Sequence, residues 1–270
     1  MLFSVITVNF NDSVGLQNTI ESVLRQSYGN FEFIVIDGGS TDGSEKILKD
    51  NSKEITFWCS EPDDGIYNAM NKGVKHAKGK YVLFLNAGDV FHSSSVLEEV
   101  ACQLDDKDIV SGYALRDGDT VLNIHEKNIL MMFFHSTFSH QATFIKKELF
   151  ANYQYDESLR FVSDWKAWVD WVILGNKTYK YIDTIVADYD FNGISSDSSN
   201  WKKIVAERQQ VLQDAFPPLV LYNLDLLHDI YMQTHYKYIV GHQKIKNICF
   251  ALWKPMAFIG KLMSKKRLNE

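Results

Sequence analysis

Tyr81-Val-Leu-Phe-Leu85 is an apolar run that stops at Asn86-Ala87-Gly88-Asp89. An apolar run of this length closed by turn residues reads as a strand buried on both faces, the kind a parallel sheet contains. The same design occurs three times upstream. Leu2 to Val8 is followed by Asn9 and Asn11, Phe31 to Ile36 by Asp37 and Asp42, and Ile55 to Cys59 by Glu61 and Asp63. Amphipathic stretches lie between these runs. Asp12 caps a helix whose Val14, Ile20, Val23 and Leu24 sit near helical spacing, closing around Gln26. Asp42 and Glu45 resemble a capping box for a helix over Ser44 to Lys49, after the chain break at Gly38 and Gly39. Ile66 to Ala77 is helical and Gly79 punctuates it. This alternation predicts an α/β fold with a mostly parallel central sheet flanked by helices, and such sheets bind ligands at the carboxyl ends of their strands.

Those strand ends carry carboxylates and amides with no basic residue directly beside them. An acidic crevice is a poor host for a bare phosphate and a good one for a cation that itself holds a diphosphate. Beyond residue 105 the pattern loosens. Strands are expected at Ile109 to Ala114, Val121 to Ile124, Ala142 to Ile145 and Lys180 to Ala187, the last before an Asn192-Gly193 turn. Helices are expected from Glu126, over Phe161 to Leu174, and from Trp201 almost to the end, interrupted at Pro217-Pro218 and Pro255. No internal repeat is visible. The simplest partition is one domain over 1–215, with halves 1–105 and 106–215, followed by a helical appendage over 216–270.

The composition, 46% hydrophobic and 23% charged with four prolines in 270 residues, excludes disorder and collagen. A chain of this length buries roughly 70–75% of its unfolded surface, so it needs no staple to hold a core. Cys59, Cys102 and Cys249 form no CxxC pair and leave an odd thiol, which argues for a reducing compartment and against a zinc ribbon. No run approaches the roughly 20 apolar residues of a membrane span, and Met1 to Val8 lacks the basic region of a signal peptide. A cytoplasmic location is expected. Charge is unevenly spread. After His235 eight basic residues face one acid, a net of +7, while residues 1–234 hold 20 basic residues against 33 acids, a net of −13. So acidic a body excludes nucleic acid as a partner.

Four segments carry a family resemblance: Ser4-Val-Ile-Thr-Val-Asn-Phe-Asn11, Asp37-Gly-Gly-Ser-Thr-Asp-Gly43, Asp63-Asp-Gly-Ile-Tyr-Asn-Ala-Met-Asn-Lys-Gly73 and Phe84-Leu-Asn-Ala-Gly-Asp89. In order and spacing they resemble the signatures of inverting family 2 glycosyltransferases, densely over the first 95 or so residues and more thinly to about residue 195. The similarity is greatest to bacterial enzymes that assemble O-antigen and capsule. It implies a GT-A (Rossmann-like) fold and transfer of a sugar, a hexose from a UDP-sugar, to a hydroxyl of a saccharide acceptor carried on a polyprenyl diphosphate. It also implies a cofactor, Mn2+ or Mg2+, to neutralise the leaving diphosphate.

The resemblance assigns roles. Asp89 stands at the acid of the family's DxD motif and is the expected metal ligand, with a turn or helix-cap role as the alternative. Asn86 replaces an acid there and is expected to hydrogen-bond the sugar or ribose, with Ala87 and Gly88 lining the same site. Phe10 is expected to flank the base, the backbone near Val8 and Asn9 to read its edge, and Asp37 to accept from a uracil-like imide. Asp63 is expected near the ribose or base, and Asn71 and Lys72 near the sugar or phosphates. Asn68 stands where related sequences have Asp. An inverting transfer needs one general base on the acceptor hydroxyl, and Asp164, opening a helix in the second half, is the candidate, with an N-cap as the alternative. Trp165, Trp168 and His140-Gln141 are the expected acceptor-side residues, or else core.

From Tyr236 to Arg267 lysines interleave with Ile239, Ile245, Phe250, Trp253, Phe258 and Leu262. This reads as a basic amphipathic segment lying on anionic lipid at the inner face of the cytoplasmic membrane, or as a helix pair packed on protein. Two other function classes stay open: a nucleotidyltransferase, disfavoured because Asn9 to Gly15 holds no Lys or Arg, and a nucleotide-sugar-binding module that has lost catalysis. A dehydrogenase is the least favoured class, because no GxGxxG follows the first strand.

Overall fold

The computed structural model describes residues 1–116, 120–122, 138–190 and 198–240. Its first half is β1 (Phe3–Asn9), α1 (Ser13–Leu24), β2 (Phe31–Asp37), α2 (Ser44–Asp50), β3 (Phe57–Ser60), α3 (Ile66–His76) and β4 (Tyr81–Phe84). These four strands are all parallel, in the order β3-β2-β1-β4. Every residue of β1 is buried, which explains why it does not alternate apolar with polar. One face of the sheet, through Phe3, Val5, Phe33, Val35 and Leu83, joins a core with Leu16, Ile20 and Val23 of α1 and Leu48 of α2. The other face receives α3. Gly73 permits this approach, since a Cβ there would lie 2.5 Å from Ile6 Cγ2.

Strand order reverses between β1 and β4, which opens a crevice at their carboxyl ends. On the far side of β4 the chain adds β5 (Val90–Phe91), α4 (Val96–Ala101), β6 (Ile109–Arg116), β7 (Thr120–Leu122), β8 (Thr143–Lys146), α5 (Ser163–Trp168) and β9 (Tyr179–Tyr189). The sheet continues β4-β8-β6-β9-β5, with β7 on β6. β8 runs antiparallel to both β4 and β6, whereas β6 and β9 are parallel. Phe144 of β8 meets Phe3 of β1 with ring centroids 5.2 Å apart, so a single core spans both halves.

Several local expectations shift. Asp12 does cap α1, accepting from Gly15 N–H at 2.9 Å. Asp42 forms no capping box with Glu45. The N-cap of α2 is Gly43, and Asp42 instead bonds the Ser44 hydroxyl and the Ser13 N–H, each at 2.6 Å, tying α2 to α1. The strand expected from Ala142 begins at Thr143, because His140–Ala142 form a tight 3-10 turn. The helix expected from Phe161 begins at Ser163, and its last two turns, Val169–Leu174, widen into a π-helix. β5 and α4 lie in a stretch given no element from sequence. The helix expected from Glu126 and the Asn192-Gly193 turn lie outside the described residues.

The chain divides into two compact units, Met1–Val211 and Leu212–Glu270. Helix α6 (Trp201–Ala215) runs across that division, and α7 (Pro218–Val240) follows the Pro217-Pro218 interruption. Pro218 opens α7, where a missing N–H leaves no gap in the helical bonding. Residues 241–267 of the basic segment are outside the described residues. No helix among the described residues is long and apolar enough to cross a membrane.

Because Phe144 is fully buried where the two halves share a core, Phe144→Ala is expected to cost about 3–5 kcal/mol. Urea unfolding followed by tryptophan fluorescence measures it.

Candidate functional site

Two carboxylates sit at the crevice, and their surroundings differ. Asp37 ends β2, level with Asn9 at the end of β1. It is fully buried and accepts from Asn9 Nδ2, Ser40 Oγ and Ser60 Oγ, each at 2.6 Å, and from the Ser40 N–H at 3.0 Å. Burial pushes its pKa up, but the four donors outweigh burial and hold it below the usual carboxylate value. With each acceptor position filled by protein, Asp37 braces the Ser40 loop and Asn9. The expected contact to an imide N–H is therefore not available to Asp37 as it stands. The Asn9 Oδ1 is buried and has no partner among the described residues, which makes it the free acceptor at this level.

Phe10, 67% exposed, stands beside Gly38 and Asp63. A Cβ on Gly38 would lie 2.7 Å from Asp63 Oδ2 and 3.1 Å from the Phe10 ring, so the missing side chain lets both groups close on the Gly38 backbone. Asp63 turns back to accept from the Gly65 N–H at 2.9 Å.

Asp89 follows the end of β4 and is 3% exposed. The turn that carries it is pinned at three points. Ala87 N–H donates to Val8 O and Asp89 N–H to Asn86 O, each at 3.0 Å, and Thr19 Oγ donates to Asp89 O at 2.7 Å. The Asp89 carboxylate accepts from the Asp190 N–H at 3.1 Å and is reached by no side-chain donor among the described residues. Burial raises its pKa to about 7, against the fields of His140 and two backbone N–H groups, and with the Asp190 carboxylate adding to the rise. Asp190 packs against Gly88, whose missing Cβ would sit 2.6 Å from Asp190 Oδ2 and whose φ of +94° suits glycine. An under-partnered buried carboxylate beside a second one fits a hard, oxygen-seeking divalent cation. No group of three or more His, Cys, Asp or Glu among the described residues supplies a full shell, so substrate oxygens and water would complete it.

From Asn86 a line of polar contacts crosses to the second half. Asn86 Nδ2 lies 3.1 Å from His140 Nε2, and His140 Nδ1 lies 3.3 Å from Asp164 Oδ2. The other oxygen of Asp164 accepts from Tyr67 Oη and from Trp165 N–H, each at 2.9 Å. Burial pushes the Asp164 pKa up, but His140, Tyr67 and the Trp165 N–H together bring it below the ordinary value. His140 moves the opposite way: burial lowers it, and Asp164 with Asp89 more than compensates. Tyr67 is driven well above the usual phenol range by burial and by Asp164, so its hydroxyl stays a donor.

Two expected contacts, those of Asn71 and of the Trp165 and Trp168 pair, are corrected. Asn71 is 3% exposed and spent within the fold, donating to Tyr155 O at 2.9 Å and Glu157 Oε1 at 2.8 Å and accepting from Tyr155 N–H at 2.9 Å. It therefore clamps α3 to the second half and does not reach toward a sugar. Lys72 pairs with Glu61 at 2.9 Å, beside the end of β3. Trp165 and Trp168 form no sugar platform. They are 2% and 0% exposed, with Trp168 packed edge-on against Phe138 and Trp171, because α5 turns that face into the core. Gln141 is buried as well. Thr19, Ser40, Ser60 and Asp190 were not singled out from sequence, since only the folded chain brings them to Asp37 and Asp89. Tyr67 lay inside a quoted motif, and that motif was the signal for it.

The comparisons with known proteins show the family and the fold. Residues 4–165 match the family model for glycosyl transferase family 2. An uncharacterized glycosyltransferase of Mycobacterium tuberculosis is 45% identical over 109 residues, covering 40% of this chain and 42% of that relative. The chain thus spans about two fifths of that relative's length. A PGL/p-HBAD biosynthesis glycosyltransferase of Mycobacterium bovis is 29% identical over 203 residues, covering 72% of this chain and 79% of the relative. Among solved structures, S. aureus TarS 1-349 in complex with UDP-GlcNAc aligns with a TM-score of 0.62 at 16% identity, over 90% of this chain and 74% of that one. The mannosyltransferase PcManGT from Pyrobaculum calidifontis, in complex with GDP-Man and Mn2+, aligns at 0.63 and 17% identity, over 98% and 80%. At such identities the structures report the shared GT-A fold.

The opposed shifts of Asp164 and His140 define a pH window for their pairing. Asp164 contributes stability above its unfolded value of 3.8 and loses it as the carboxylate protonates. His140 contributes below its unfolded value of 6.5 and loses it as pH rises through the higher folded value. The stability gap between wild type and His140→Gln, on the order of 1–3 kcal/mol, is therefore expected to be largest between those two values and to narrow on either side. Thermal unfolding across pH 3–9 checks it.

Proposed function

The chain belongs to glycosyl transferase family 2, and we propose that it moves a hexose from a UDP-sugar to a hydroxyl of a saccharide acceptor, with inversion at the anomeric carbon. The observation that carries this reading is the contrast at the crevice: a saturated Asp37 near the Phe10, Gly38 and Asp63 cluster, and an under-partnered Asp89 at the β1/β4 reversal. The nucleoside lies over the ends of β1 and β2, with Phe10 on the base, Asn9 Oδ1 toward its imide N–H, the backbone near Val8 along its edge and Asp63 toward the ribose. Asn86, Ala87 and Gly88 line the diphosphate and sugar.

Asp89, with Asp190 beside it, would hold Mn2+ or Mg2+. When bound, such a cation neutralises the charge that the diphosphate gains as the glycosidic bond breaks. Asp164 takes the proton of the acceptor hydroxyl. Its Oδ1 is filled by Tyr67 and the Trp165 N–H, so Oδ2, which has only His140, is the oxygen left for that transfer. His140 holds Asp164 in place and lines the acceptor side. The acceptor in this reading is a polyprenyl-diphosphate-linked intermediate of bacterial surface polysaccharide, with residues 236–267 on the inner face of the cytoplasmic membrane. The mycobacterial relative named for PGL/p-HBAD biosynthesis supports a cell-surface glycoconjugate.

Calorimetric titration with uridine, thymidine and guanosine diphosphates, each with and without Mn2+, tests the donor site. Uridine-selective, Mn2+-dependent binding that Asp89→Asn removes is the expected result. No binding by any nucleotide to folded protein sinks the reading. Asp164→Asn is expected to leave that binding intact while turnover falls about 10²–10⁴-fold, the usual weight of a general base. Nucleotide binding by the wild type without turnover on any lipid-linked acceptor would leave a nucleotide-sugar-binding module instead.

A further inference from the structure

Helix α6 presents Ile204 and Val211 to the interior, 8% and 4% exposed. Arg208 lies between them at helical spacing, on the stripe where an apolar side chain is the rule. Its position is fixed by its neighbour. Glu207 accepts from the Arg160 N–H at 3.0 Å and the Phe161 N–H at 2.9 Å, bolting α6 to the loop that leads into α5. The Arg208 guanidinium carbon then sits 5.2 Å from the centre of the Trp165 ring.

This guanidinium is short of partners. Its Nε is sealed from solvent and has no acceptor among the described residues, and no carboxylate among them reaches it at ion-pair distance. The anionic field that it feels comes from Asp164. That carboxylate is already engaged by Tyr67, Trp165 N–H and His140. Leaving a largely buried cation with its Nε donor unmet is costly, and an arginine fork matches phosphate geometry.

We propose that Arg208 is a binding residue for a substrate phosphate at the Asp164 end of the site. The inference rests on the proposed nucleoside-diphosphate chemistry and adds a residue that no family motif quoted above contains. A phosphate oxygen there belongs either to the donor diphosphate or to the diphosphate that carries the acceptor. Both present the same charge-assisted hydrogen bonds to the guanidinium.

The test compares the full chain with Arg208→Met and Arg208→Lys. Ligands are inorganic pyrophosphate, UDP with Mn2+ and farnesyl diphosphate, read by calorimetry and by the melting temperature with and without ligand. Arg208→Met is expected to fold with an unchanged or higher melting temperature, since it removes an unmatched charge and keeps an apolar stem on Trp165. Its affinity for a phosphate ligand is expected to fall about 10- to 100-fold, the weight of hydrogen bonds to a charged group, with Arg208→Lys in between. Loss confined to UDP places the donor diphosphate at Arg208, and loss confined to farnesyl diphosphate places the acceptor's. Equal binding of UDP, farnesyl diphosphate and pyrophosphate by wild type and Arg208→Met overturns the inference and spares the donor site. A melting temperature that drops without change in ligand affinity also overturns it, in favour of a purely structural cation on Trp165. A wild type that binds pyrophosphate through Arg208 but no uridine nucleotide supports the inference and overturns the donor reading, and no response to any phosphate compound overturns both.

Discussion

Strands buried on both faces keep their polar groups for their ends, and here β1, β2, β3 and β4 are parallel, so all four end along one edge of the sheet. The chain must satisfy whatever it puts there. At Asp37 it does so completely, with three side-chain donors and one backbone donor around a buried carboxylate. At Asp89 it does not: among the described residues only backbone N–H groups serve a carboxylate that burial drives up to about 7. The same edge therefore carries one anion that is fully braced by protein and one that is not, and the difference is a count of donors.

The reversal of strand order between β1 and β4 places these anions on either side of one crevice, and the rest of the molecule holds that crevice in shape. Thr19 and Val8 O pin the turn carrying Asp89. Asn71 fastens α3 to the backbone of Tyr155, and the line Asn86, His140, Asp164, Tyr67 carries hydrogen bonding from the end of β4 to the first turn of α5 and back to α3. Both halves of the sheet thus meet at the proposed reacting centre through polar contacts as well as through the Phe3 and Phe144 core. In the proposed reaction a proton leaving an acceptor hydroxyl there would enter a network already aligned, which limits the reorganisation that the transfer requires.

Much of this was legible locally. Period, turn residues and polar strand ends fall within a few residues of one another, so β1 to β4 and α1 to α3 could be read to within one or two residues, and so could the acids at their ends. Beyond residue 105 the strands pair antiparallel with partners distant in sequence, and no local pattern announces that β8 inserts between β4 and β6. The π-helical turns after Trp168 and the 3-10 turn at His140 escaped for a related reason: they are adjustments of backbone to packing.

The sequence by itself determined the βα alternation, the acidic strand ends and the family, because these are written in the order of residue types along the chain. The tertiary structure decided which of those residues are free to act. Trp165 and Trp168 belong to the core, Asn71 to a clamp and Asp37 to a brace, and the buried Nε of Arg208 has no acceptor among the described residues. Whether a polar group is spent depends on donors that arrive from tens of residues away, and that information exists only once the chain has closed on itself.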